Sequence, residues 1–316
     1  MTVETSKNNV LASPLFCDKL TINIDYKELG EQLVLIEGIN EFLGLNLHAK
    51  SYPTPQYQRR IFIYEGEYPS KMQMVVEVGP KVTGVSFFRI DFNPSHCDME
   101  AVAAFLQTVL PGGLKDVALK GKVSRIDLTV DFTGIHIDDL LVAYPGMQVS
   151  KGYYKSGNTE TLYLGGYECA KLVVLYDKAQ QVRHLNAKKQ MKLEIPTDPT
   201  TRLEIRLRPD LGLTGLQTLG NPFLKLILAA VSSIQPHPEQ VWKLFMAVAK
   251  VRGAHDALLM IDDKYQRKVY RERLGCGTPP WWKPETLWIA WSGLLATLFF
   301  TCQSIPPTLQ FETSGA

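Results

Sequence analysis

Three carboxylates occupy the polar faces of two alternating segments. "SRIDLTVDF" (124–132) places Arg125, Asp127, Thr129 and Asp131 on one face, with Ile126, Leu128, Val130 and Phe132 on the other. "TRLEIRLRP" (201–209) sets Arg202, Glu204, Arg206 and Arg208 against Leu203, Ile205 and Leu207. Successive side chains of a strand point to opposite faces, so each segment buries one face and displays the other. Two chemistries fit this pattern. Oxygen-only donors select a hard cation such as Mg2+ or Mn2+. Because i to i+4 spans roughly 13 Å of strand, Asp127 and Asp131 need a bulge to share one ion, whereas either could join Glu204 from a neighbouring strand. The alternative is a ladder of ion pairs in which Arg125, Arg202 and Arg206 neutralise the same acids.

A nucleophile candidate lies between these segments. In "KLVVLYDK" (171–178), Leu172, Val173, Val174 and Leu175 make both faces apolar, as in a central strand. Tyr176 stands where that strand emerges, followed by Asp177 and Lys178. A tyrosine there is either a core ring with its hydroxyl at the edge or a nucleophile whose phenolate nearby cations favour. The six histidines are scattered, and no two are separated by a single residue. The His-apolar-His metal motif of many DNA-nicking enzymes is therefore absent. There is no G-x-x-x-x-G-K-[ST] loop for nucleotide phosphates, and the dispersed residues imply no Ser-His-Asp triad.

Cations collect late in the chain. From Lys250 to Arg273 there are seven Lys or Arg against four acids. Lys264, Arg267, Lys268 and Arg271 alternate with Tyr265 and Tyr270 in "KYQRKVYRERLG". On a helix that face would either grip phosphates or be simply solvated.

Around these residues the expected elements are a strand at 18–26, a helix at 28–45 and β-rich runs in "QRRIFIYEG", "MQMVVEVG" and "GVSFFRIDF". A helix at 98–110 starts on an Asp98 cap and stops at Pro111-Gly112-Gly113. After "SRIDLTVDF" come a short helix at 137–143 and β-rich segments at 152–155, 161–164 and 172–176. From Pro222 the pattern reads as helical through "FLKLILAAVSSI", "EQVWKLFMAVAKV" and "HDALLMIDDKYQRKVYRERL". "FRIDF" and "SRIDL" echo each other, but two five-residue matches are too little for a duplication.

The chain has 316 residues, 45% hydrophobic, which supports a sizeable core. Its net charge of +2 means that any basic surface is local. Five scattered cysteines without a C-x-x-C pair suggest reduced thiols and a cytoplasmic location. "LWIAWSGLLATLFF" (287–300) has 14 uncharged residues, short of the roughly 20 a membrane span needs. It reads as a buried or partner-binding helix, and a membrane partner is not expected.

Three segments in order resemble one family: "SRIDLTVDF", "TLYLGGYECAKLVVLYDKAQQ" and "TRLEIRLRP". They are similar to the R-x-D strand, the T-x-Y-x-G turn leading to Tyr-acidic-Lys, and the R-x-E-x-R strand of the Rep_trans family. These are rolling-circle replication initiators of small plasmids, with related relaxases on conjugative elements. "CDKLTINIDY" resembles the family's opening strand, and the likeness spans roughly residues 18–210. The resemblance implies an α+β fold with a largely antiparallel sheet and flanking helices, an HUH-like nickase core without the His pair, followed by a helical region. The order of elements divides the chain into a tail (1–17), an α+β domain (18–210) that the resemblance makes the nicking–joining domain, a helical region (211–278) read as DNA-binding, and an apolar tail (279–316) that departs from the family pattern. The resemblance also implies Tyr176 as nucleophile, with Tyr163 of "TLYLGG" as runner-up. Asp127, Glu204 and Asp131 would hold Mg2+ or Mn2+, and Lys178 and Arg206 would add positive charge. The implied partners are plasmid origin DNA, met by Lys264, Arg267, Lys268 and Arg271, a host helicase and polymerase, and a second copy of the chain. A relaxase and a non-catalytic origin-binding protein are the alternatives.

Overall fold

The computed structural model describes residues 10–46, 48–66, 71–155, 158–189 and 192–298. In chain order the strands begin with β1 (Leu11–Ala12), β2 (Phe16–Ile24), β3 (Lys50–Tyr52), β4 (Tyr57–Tyr64), β5 (Met72–Pro80), β6 (Phe88–Phe92) and β7 (Lys122–Thr133). They continue with β8 (Leu140–Ala143), β9 (Ser150–Lys155), β10 (Asn158–Leu164), β11 (Lys171–Asp177), β12 (Thr200–Leu207), β13 (Leu211–Gly212) and β14 (Ile227–Ala230). The helices are α1 (Leu29–Leu45), α2 (Met99–Val109), α3 (Leu114–Lys120), α4 (Lys178–Lys189), α5 (Gln240–Arg252), α6 (Ala254–Leu259), α7 (Lys264–Gly275), α8 (Pro284–Ile289) and α9 (Trp291–Leu298). This is an α+β fold, and the strand pairs with a described register are antiparallel.

The chain forms two compact units that do not follow consecutive segments. The first holds Phe16–Asp127, Arg208–Leu219 and α9; the second holds β1, Leu128–Leu207 and Gly220–Ala290. One boundary between the units falls inside β7, and another lies between Leu207 and Arg208. Within the first unit the strand order is β3-β4-β5-β6-β2, and within the second it is β9-β10-β11-β12-β7. The two orders are the same: the opening strand sits beside the last strand of its set, and the strand that follows it in the set lies at the far edge.

In the first unit alternation works as expected. Leu20, Ile22 and Ile24 of β2, Ile61 and Ile63 of β4, Val76 and Val78 of β5, and Phe88 and Ile90 of β6 are all buried. Leu35 and Ile39 of α1 and Val102, Phe105 and Leu106 of α2 are buried as well. The two helices meet closely: Phe42 and Phe105 stack edge to face with centroids 4.9 Å apart. A Cβ at Gly38 of α1 would lie 3.0 Å from the carbonyl oxygen of Val109, so glycine permits this approach. Asp98 caps α2 by accepting hydrogen bonds from the Glu100 and Ala101 amides.

In the second unit β12 buries Leu203, Ile205 and Leu207, and β11 is buried on both faces. The antiparallel pair β8–β14 and helices α5 to α7 build a separate core around Trp242, Phe245 and Tyr270, whose rings lie 5.1 Å apart pairwise. Each such ring pair contributes roughly 0.5–1.5 kcal/mol beyond its buried area.

Several expected elements differ. "FLKLILAAVSSI" forms no α-helix: residues 227–230 form β14 on β8 and only Val231–Ser233 makes a helical turn, because a short apolar run carries no periodicity that separates strand from helix. At 137–143 only Ile137–Asp139 makes a helical turn, and the rest is β8. "HDALLMIDDKYQRKVYRERL" breaks into α6 and α7, because the Asp263 side chain caps α7 by accepting from the Gln266 amide. α3 and α4 are additional helices. In the apolar tail α8 and α9 are short, and no single helix among the described residues is long and apolar enough to cross a membrane. Trp291, Leu295 and Leu298 of α9 are buried, and residues 299 and 300 lie outside the described residues.

Candidate active site

The second unit gathers most of the anticipated residues on one sheet face. Directly opposed residues share a face, so the register builds rows across the strands. One row runs Tyr153, Thr161, Tyr176, Arg202. Arg202 extends it by donating to Asp131 through Nε at 2.6 Å and Nη2 at 2.8 Å. The next row runs Lys151, Tyr163, Val174, Glu204. Arg206 lies two residues beyond Glu204, opposite Leu172.

α4 starts directly after β11 and walls this face. Asp177 accepts a hydrogen bond from the Gln180 amide at 3.1 Å, which caps the helix. Its carboxylate also lies 3.3 Å from His136 Nε2. Lys178, the first helical residue, donates to Gln181 Oε1 at 2.7 Å. Between α4 and the sheet runs a groove of about 660 Å³, with Tyr163, Tyr176, Glu204 and Arg206 on its floor and Gln181, Arg183 and His184 on its wall. The groove therefore joins residues of two anticipated motifs with the anticipated nucleophile. Asp127, Asp131 and Lys178 are not among its lining residues.

The three carboxylates are each engaged by an arginine. Asp127, 1% exposed, accepts from Arg125 Nε at 2.8 Å and Nη2 at 2.5 Å. Asp131 is held by Arg202, and Glu204 accepts from Arg206 Nε at 3.0 Å. Among the described residues no group of three His, Cys, Asp or Glu side chains is placed to hold a metal ion. To hold Mg2+ or Mn2+, Asp127, Asp131 and Glu204 would each exchange a guanidinium contact for the ion. The geometry is that of the ion-pair ladder.

The tyrosines differ in setting. Tyr176 is 6% exposed and packs with Leu172 and Val174. Burial raises Tyr163 above the ordinary phenol value, and Tyr167, whose ring centroid lies 5.3 Å away, adds to the rise. Tyr153, at the edge strand and 42% exposed, is lowered by its hydrogen bond with Lys151. Sequence reading did not single out Tyr153, His184 or Lys151, because their place beside Tyr176 depends on strand register and on α4.

The late basic residues lie on α7, also in the second unit. Lys264 and Lys268 are exposed, and Lys268 lies 3.8 Å from Glu272. Arg267 instead ties back into the α6–α7 connection, donating to the Ile261 carbonyl from Nε at 2.9 Å and Nη2 at 2.5 Å. Tyr270 faces inward and donates to Glu239 at 3.0 Å.

No family model matches the chain, and no curated protein does. Among solved structures the chain is similar to a rolling circle replication initiator protein from Geobacillus stearothermophilus. The identity is 14%, the TM-score 0.35, and the match covers 75% of this chain and 85% of that one.

Proposed function

We propose that this protein starts rolling-circle replication of a plasmid by nicking one strand at the origin through Tyr176. The observation that carries the reading is the groove in which Tyr176 shares a floor with Tyr163, Glu204 and Arg206. These residues come from the Tyr-acidic-Lys, T-x-Y-x-G and R-x-E-x-R segments. In this reading the Tyr176 oxygen attacks a backbone phosphorus. The P–O3′ bond breaks, the 3′-oxygen leaves as a hydroxyl with the phenol's proton, and the 5′-phosphate stays on the tyrosine as an ester. Charge builds on the non-bridging oxygens during this exchange, and fixed cations stabilise it. Arg206 on the floor and Arg183 on the wall supply such charge; Lys178 acts through Gln181. A later 3′-hydroxyl reverses the exchange and reseals the strand. Meanwhile the freed 3′-hydroxyl primes the host polymerase, and the host helicase opens the duplex ahead of it.

Tyr163 is the less suited nucleophile, because the rings of Tyr153 and Tyr167 pack on it. The test is to incubate the chain with supercoiled origin plasmid, with and without Mn2+, and to look for protein covalently held on a nicked 5′ end. Tyr176→Phe is expected to remove the adduct while duplex binding stays within a few-fold. An adduct that survives in Tyr176→Phe and disappears in Tyr163→Phe would overturn the assignment.

A further inference from the structure

The first unit repeats the register of this sheet face and several of its residues, with different side chains at its centre. Its central row runs Tyr52, Arg60, Glu77, Arg89, Asn23. Position by position it answers the row of Tyr153, Thr161, Tyr176, Arg202 and Asp131. Its neighbouring row, Lys50, Phe62, Val75 and Asp91, answers Lys151, Tyr163, Val174 and Glu204. Both edge strands read Lys-x-Tyr, both second strands place a ring in the second row, and both last strands carry Arg-x-acid. Where the second unit has Tyr176, the first has Glu77, 6% exposed and 3.3 Å from Arg89 and 3.6 Å from Arg60. This face therefore has no nucleophile at its centre.

What it keeps are the groups that grip an unpaired strand. The rings of Tyr52 and Phe62 lie 5.5 Å apart, and the Arg60 guanidinium sits 5.5 Å from the Phe62 centroid. Tyr52 is 49% exposed. Lys19, Arg60 and Arg89 meet Glu77 and Asp91 on this face, and Lys50 lies on its edge strand. The Arg60 and Arg89 Nε groups are buried without a hydrogen-bond partner among the described residues. Aromatic rings interleaved with cations on an open sheet stack bases and hold phosphates at once, and they take unpaired strands because a duplex hides its base faces.

We propose that the first unit's sheet face holds single-stranded DNA without cleaving it, stacking bases on Tyr52 and Phe62 with the backbone near Lys50 and Arg60. The proposal rests on the DNA-processing reading above, and it gives the first unit the task of keeping the displaced strand beside its own initiator.

The test uses the full chain carrying Tyr176→Phe and a thymine-rich oligonucleotide bearing 5-iodouracil. Photo-cross-linked peptides are mapped by mass spectrometry, and affinity is read by fluorescence anisotropy. Cross-links at Tyr52 or Phe62 are expected. Tyr52→Ala and Phe62→Leu should each weaken oligonucleotide binding by at least roughly fivefold, the lower bound for one lost stacking contact. Cross-links confined to Tyr153, Tyr163 and Tyr167, or affinities unchanged by both substitutions, would overturn it. An intact chain that forms no adduct would sink the proposed nicking, and the cross-link map would still decide this face.

Discussion

The two units have the same strand order and the same edge and terminal motifs, yet they hold charge differently. In the second unit Arg202 is nearly buried and grips Asp131 in a two-point pair, which leaves the centre of the row to a neutral phenol and Thr161. In the first, the corresponding Arg89 is a third exposed and shares itself between Glu77 and Asp91. One arrangement closes its ion pair to one side and keeps a reactive hydroxyl in the row. The other fills the row with charge and leaves cations at the surface. In the proposed reading the same backbone serves chemistry in one copy and strand-holding in the other, and the central differences are Tyr176 against Glu77 and Thr161 against Arg60.

The largest expected effect breaks this contrast directly. Tyr176→Phe should lower nicking by more than about 10³-fold, as loss of a nucleophile does, whereas Glu77→Gln should leave it within a few-fold. Comparable rates in both variants on a plasmid assay would erase the division of labour. Next, Glu204→Gln, which takes a carboxylate from the groove floor and an anticipated ligand from the divalent ion, should cost nicking about 10³-fold. Its counterpart Asp91→Asn should not, and the comparison is made under identical cation conditions.

Stability should separate the units too. Arg202→Ala leaves Asp131 without its two-point partner and is expected to cost about 2–3 kcal/mol, below the full figure for a buried pair because Asp131 is partly solvated. Arg89→Ala should cost about 1 kcal/mol or less, since its guanidinium is already partly in water. Urea unfolding of both variants measures the gap. On α7, replacing Lys264 and Lys268 with Ser should shrink the slope of log affinity against log salt by roughly 0.9 per lost phosphate contact. An unchanged slope would mean that this helix face is solvated and the origin is met elsewhere.

The smallest effect concerns acid. His255 of α6 is buried, its Nε2 has no hydrogen-bond partner among the described residues, and burial holds its pKa below the ordinary value of 6.5. A proton therefore binds the unfolded chain more readily than the folded one. Its contribution to stability is complete above about pH 6.5 and declines as pH falls below that value. His255→Gln should flatten that part of the curve in thermal melts between pH 7 and 5.

Much of the sheet was legible because alternation is a local property: 124–132 and 201–207 fold as strands with the anticipated faces buried. Tyr176 at the end of a doubly buried strand was legible for the same reason. The duplication was not. The visible echo, "FRIDF" with "SRIDL", matches strands that hold different places, since the first is β6 and the second opens β7. The equivalent strands of β6 and β12 share only Arg-x-acid, and "LTIN" in β2 answers "LTVD" in β7 through four residues. Register across strands, a long-range property, is what aligns them. α4 escaped notice because "KAQQVRHLNAKK" is mostly polar and offers little apolar periodicity. Without it neither the groove wall nor His184 could be placed. The arginine partners of the acids were foreseen as one of two readings, since a strand pattern gives residue types and not which of two neighbours a carboxylate will choose.

The make-up of the first unit has a consequence in time. It needs Phe16–Asp127, then Arg208–Leu219, then α9, whose Trp291 indole donates to the Leu216 carbonyl at 3.3 Å. A ribosome therefore finishes the second unit's last segment, which ends at Ala290, before the first unit receives its closing helix. The first unit, most of which is made before residue 128, is completed last, so a chain truncated before Trp291 would lack its closing helix.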